Sequence, residues 1–157
     1  MSGDGRYLVF WSTASNMVSG DANDKGDVFI RDRQSGETSR ISVSSTGVGA
    51  NDWSSNPSVN VDGRYVVFTS IANNLVDDDT NGFQDIFVHD RKNGETTRVS
   101  VSSNGVEGNK VSSSPVISAD GRFIAFASAS TNLVGEVSNY YQIFVHDHLT
   151  GETTRVS

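Results

Sequence analysis

Nine residues, Asp77-Asp78-Asp79-Thr80-Asn81-Gly82-Phe83-Gln84-Asp85, set oxygen-bearing side chains at alternate positions around a glycine. Calcium takes six to eight oxygen ligands, and oxygens at positions 1, 3 and 5 of a loop converge when a glycine at position 6 permits the sharp turn. Asp77, Asp79 and Asn81 fill those places, the carbonyl of Phe83 stands at position 7, and Asp85 stands at position 9. Position 12 is Val88, so no carboxylate closes the loop from that side. A thinner version precedes it: Ser19, Asp21, Asn23 and Asp27 keep the spacing, but Ser19 replaces the first acid and Asp24 the glycine. A third stretch, Gly135 to Gln142, has lost the acids at positions 1, 3 and 9 and is expected to hold no metal. Asp, Asn and Gly are also ordinary turn formers. The crowding argues for a cation, because Asp77, Asp78, Asp79 and Asp85 repel one another unless positive charge stands among them. Calcium is therefore the expected cofactor.

Other chemistry is thinly represented. There is no cysteine, so neither disulfides nor thiolate chemistry arise. Ser, His and Asp are present, but no Gly-x-Ser-x-Gly turn sets up a nucleophile. His89 corresponds by spacing to Arg31, and a position that accepts Arg reads as a solvated strand face. No catalytic residue is expected. Trp11 and Trp53 have no aromatic counterparts elsewhere in the chain and read as core filling rather than a binding surface. Twelve Lys plus Arg against nineteen Asp plus Glu, a net charge of −7 with no basic run, argue against nucleic acid and anionic membrane as partners. The apolar runs are too short to span a bilayer, and the opening Met1-Ser2-Gly3-Asp4 does not read as a signal peptide.

These residues are carried on a repeat. Asp-Gly-Arg begins at Asp4, Asp62 and Asp120, a spacing of 58, and each copy runs into an aromatic-apolar stretch ending in Phe10, Phe68 or Phe126. Asn16, Asn74 and Asn132 keep the register and read as amides capping loop backbone, while Gly36, Gly94 and Gly151 mark hairpin turns. The third copy is one residue shorter between Val134 and Gln142. Residues 4–47 and 62–105 are identical at 25 of 44 positions, which points to duplication of one unit. The units span approximately 1–50, 51–108 and 109–157 of a single domain.

Each unit reads as four short strands. In the second they are Pro57–Val61, Tyr65–Ser70, Asp85–His89 and Thr96–Ser103, with alternation suited to sheet and no helical period anywhere. The fold class is all-β, with about three four-stranded antiparallel blades, the first lacking its innermost strand. The string Ser-Ala-Asp-Gly-Arg-Phe-Ile-Ala-Phe-Ala-Ser, then Ile-Phe-Val-His-Asp, then Thr-Gly-Glu-Thr-Thr-Arg-Val-Ser resembles the WD-like (PD-type) repeat of TolB-type β-propellers. The acidic loops resemble the calcium loops inserted in other propellers, such as those of integrin α chains. The resemblance implies a secreted or periplasmic setting, although no leader is visible. Its members include scaffolds, binding modules and enzyme accessory domains, among them propellers that gate peptidases or cleave polyuronates.

Three blades are fewer than the four or more of a closed ring. Open blade faces drive association, and two copies packed head to tail give about six blades. The expected function is a non-enzymatic, calcium-binding scaffold, its partner a second copy of itself or further blades, its protein or glycan ligand undefined. The alternative is a fragment of a larger enzyme propeller. The repeated DGR arginines are expected to stack or pair against the neighbouring blade.

Overall fold

A computed structural model describes residues 1–135 and 140–157. Three antiparallel meanders stand side by side: β1 (Tyr7–Ser12), β2 (Asp27–Asp32) and β3 (Thr38–Arg40); β4 (Ser54–Val59), β5 (Tyr65–Ser70), β6 (Asp85–Asp90) and β7 (Glu95–Arg98); β8 (Ser112–Ile117), β9 (Phe123–Ser128), β10 (Gln142–Asp147) and β11 (Thr153–Arg155). The first sheet has three strands in this chain and the others have four, each in sequence order. Short β-branched and aromatic runs cut by Gly turns allow nothing longer.

The innermost strands lie further upstream than their composition suggests. β4 begins at Ser54, and its register against β5 breaks between Ser55 and Ser58. β8 breaks likewise between Ser113 and Val116. Asn56 and Ser114 adopt φ of 51° and 55° at these bulges, each directly before a proline that has no N–H to give to a ladder. The fourth strands are shorter than expected, because after Arg98 the chain leaves the sheet and Val101 bridges Glu107 in a hairpin leading to the next blade. The first unit has the same hairpin, closed by Val43 and Gly49.

Two apolar clusters join the sheets. Val28, Ile30 and Ile41 of the first pack on Val66, Phe68 and Phe87 of the second. Val67, Ile86, Val88 and Val99 of the second pack on Ile124, Phe126 and Phe144 of the third. Strand alternation fixes this arrangement, since neighbouring residues face opposite neighbours. Phe144 is buried at 1% exposure whereas Ile143 beside it is 42% exposed, so the free face of the last sheet is the one carrying Ile143.

Three side-chain expectations change. His89 is buried rather than solvated, and so is His146 at the same position of the third sheet. Trp11 and Trp53 are about half exposed and flank the backbone at Gly26 instead of filling a core. Each DGR arginine grips an aspartate of its own sheet: Arg6 holds Asp32, Arg64 holds Asp90 and Arg122 holds Asp147 at 2.6–2.7 Å. Phe144→Ala should therefore cost about 3–5 kcal/mol of stability through the cavity it opens between sheets. Leu149→Ala, at an exposed turn, should change stability by less than about 0.5 kcal/mol. Urea unfolding of the two variants checks the contrast.

Candidate functional site

The acidic loop of the second unit connects β5 to β6, and its polar groups are already engaged. Asn81 donates from Nδ2 to Asp85 Oδ2 and to the Gly108 carbonyl, each at 2.8 Å, while its Oδ1 accepts the Phe83 amide. Asp85 sits at the start of β6, fully buried, and its Oδ1 accepts Ser100 Oγ at 2.5 Å. Arg98, at the end of β7, extends its guanidinium into the loop. Nη1 lies 2.7 Å from Glu107 Oε2 and 3.6 Å from Asp79 Oδ1, and Nη2 lies 3.3 Å from Asp78 Oδ1. Thr80 bonds the same Glu107 through both its amide and its hydroxyl. Asp77 instead lines the groove beside Asn74, Leu75 and Thr96.

The first loop repeats this plan with fewer charges. Asn23 donates to Asp27 and to the Ala50 carbonyl, and its Oδ1 accepts the Lys25 amide. Asp27 accepts Ser42 Oγ, and Arg40 reaches Asp21 at 3.4 Å and Asp27 at 3.7 Å. Asp24 adopts φ 55° where the second loop has Gly82 at 68°, so the turn survives at a small strain. Ser19 is exposed and outside this network. Residues 136–139 of the third loop lie outside the described residues.

Oxygens placed this way already have partners inside the blade. The two oxygens of Asp85 accept hydrogen bonds from Ser100 and Asn81, the side-chain oxygen of Asn81 accepts the Phe83 amide, and a buried guanidinium stands among the acids. Among the described residues no group of three or more His, Cys, Asp or Glu side chains could hold a metal ion. The sequence reading missed Arg40, Arg98 and Glu107. For the two arginines the signal was present in the recurring Thr38-Ser39-Arg40 and Thr96-Thr97-Arg98, whose arginine falls at one offset in each unit.

No protein-family model matches the chain, and no curated protein matches it. Solved structures do. A protein described as TolB from Agrobacterium tumefaciens superposes with a TM-score of 0.60 at 16% identity, over 98% of this chain and 46% of its own length. The propeller domain of the Trilobed protease from Pyrococcus furiosus gives 0.57 at 13% identity, over 97% of this chain and 40% of its own. An oligogalacturonate lyase from Vibrio parahaemolyticus gives 0.53 at 14%, over 99% and 38%. The chain spans less than half the length of each. Its sheets are β-propeller blades.

Between blades, the connecting hairpin of one clasps the outer strand of the next. Ser45 Oγ accepts the Thr96 amide, and Thr96 Oγ1 donates to the Val43 carbonyl at 2.6 Å. Ser103, Thr153 and Val101 repeat this at the second junction. With each threonine proton committed, His89 and His146 must donate from Nδ1 to Oγ1, which fixes their neutral tautomer. Arg31 Nη1 donates to Thr38 in the first blade, which explains why Arg and His interchange. Asn74 and Asn132 cap the incoming hairpins, donating to the carbonyls of Gly49 and Glu107 as their spacing suggested.

Burial, then the neighbouring His148, lowers His146 to about 4. Burial, then the charge of Asp85, raises Asp79 to about 6 against the pull of Arg98. Their linkages have opposite signs. A depressed histidine contributes stability above its unfolded value near 6.5 that is lost as pH falls towards 4. A raised aspartate contributes stability at low pH that is lost as pH rises through 6. From pH 7 to 4.5 the melting temperature of His146→Gln should therefore fall less than wild type, and that of Asp79→Asn should fall more. Removing the loop cation by Arg98→Met should cost about 3–5 kcal/mol by urea unfolding, because buried carboxylates are left unpaired.

Proposed function

We propose that this chain is a three-blade propeller module acting as a non-enzymatic binding and assembly scaffold, and that it completes a ring of about six blades with a second copy of itself. One observation carries the reading. The free face of the third blade holds Phe123, Ala125, Ile143 and Val145 at the positions where the second blade holds Tyr65, Val67, Ile86 and Val88, the residues that receive the third blade. At the other end Leu8 and Phe10, with Phe29 beneath, occupy the positions of Val66, Phe68 and Phe87, which are received by the first. Each end thus offers one half of a junction already formed twice. Left in water, such faces cost apolar burial that a second copy supplies.

A second reading has its own support. Since the three structures named above are each more than twice the length of this chain, the three blades fit equally within one longer propeller, in an enzyme or a scaffold. Sedimentation equilibrium separates the two: self-closure requires a mass near twice 16.9 kDa, and a concentration-independent monomer favours the longer propeller.

The acidic loops take structural work in this proposal, with Arg40 and Arg98 supplying the positive charge that the sequence pattern assigns to calcium. The melting temperature should then be the same in millimolar calcium and in chelator. At 100 times its dissociation constant a bound calcium would add about 2.7 kcal/mol, and an upward shift of that size would return the loops to calcium.

A further inference from the structure

At both internal junctions an aromatic ring of one blade lies in a slot on the next. Tyr7 packs over the turn at Gly63, where any Cβ would overlap its ring. It is held between Arg6 of its own blade, 4.9 Å from the ring centre, and Arg91 of the second, at 4.4 Å. Arg91 is fixed there by donating to the Gly63 carbonyl at 2.6 Å. Tyr65 repeats this over Gly121, between Arg64 at 4.5 Å and the edge of His148 at 5.5 Å. A backbone seam runs beside the slots, from Gly3 N–H to the Val61 carbonyl at 2.9 Å and from Val61 N–H to the Ala119 carbonyl at 3.0 Å.

The third blade carries the inserting half with nothing to receive it. Phe123 lies under Arg122 at 4.8 Å and is 40% exposed, and the Ala119 amide has no backbone acceptor among the described residues. The first blade carries the receiving half with no ring in it. Only Arg33 and the sulfur of Met1, the end of a flexible side chain, approach Gly5, the Gly3 carbonyl accepts no backbone bond among the described residues, and Arg33 already donates to the Gly5 carbonyl at 2.9 Å, the bond Arg91 makes above Tyr7. Both halves thus stand on one chain, matched in ring, cation and backbone polarity.

We infer that Phe123 of one copy inserts over Gly5 of a second copy beneath its Arg33, with Ala119 N–H donating to the Gly3 carbonyl, and that this slot sets the register of ring closure. The inference rests on the two-copy reading above and names the contact that enforces it. A phenyl ring flanked by two guanidiniums gains cation–π attraction on both faces, and a lysine in its place meets like charge instead.

Sedimentation velocity on the full chain tests it with wild type, Phe123→Lys, Arg33→Glu and an equimolar mixture of the two variants. Each variant alone should dimerise about tenfold more weakly or worse while keeping the wild-type circular dichroism. The mixture should recover a dimer, because one of its two junctions then pairs Phe123 with Arg33 and the other pairs the new lysine with the new glutamate. Folded variants that both dimerise as wild type does, or a mixture that stays monomeric, overturn the slot and leave the two-copy reading standing. A monomeric wild type overturns that reading and the slot with it. Should Phe123→Lys fail to fold, Arg33→Glu at its exposed turn decides alone, by dimerising as wild type does or not.

Discussion

Each blade of this chain is a thin sheet with two apolar faces, and the contact of one blade's outward face with the next blade's inward face is what every other feature depends on. A sheet of three or four short strands has no interior of its own, so residues of one strand parity are buried only by the preceding blade and those of the other parity only by the following one. The gradient of burial follows directly. All six residues of β6, in the middle blade, are buried, while β1 and β10 at the two ends keep exposed apolar positions.

Polar chemistry is arranged around that contact. The Ser-Thr-His clasp holds each connecting hairpin on the outer strand of the following blade, and the asparagine caps hold its far side. Thr96, Thr153, His89 and His146 are buried at the junctions, where an unpaired donor or acceptor would cost about 1–3 kcal/mol. The same logic governs the acidic loops. Asp27 and Asp85 are fully buried at the starts of third strands, and their neighbours are tolerated because a serine, an asparagine and an arginine satisfy them from within the blade. A carboxylate cluster needs a counter-charge but does not specify which one, and here a side chain of the repeat is in place to provide it.

The repeat, its four-strand units, the turns at Gly36, Gly94 and Gly151, and the capping asparagines were all legible in the sequence, because they depend on local chemistry recurring at fixed offsets. The acidic loops were legible as clusters of charge. Their closure by Arg98 and Arg40 was not, because each arginine arrives from a strand some twenty residues away and spacing within the loop carries no trace of it. The direction faced by Phe144, the burial of His89 and the exposure of Trp11 and Trp53 were hidden for a related reason. Alternation along a strand separates two faces but does not say which neighbour covers which. The blade pattern and its number of copies are thus written in the residue order. The partner of each face and ring comes from the next blade in space, so it is assigned by packing alone.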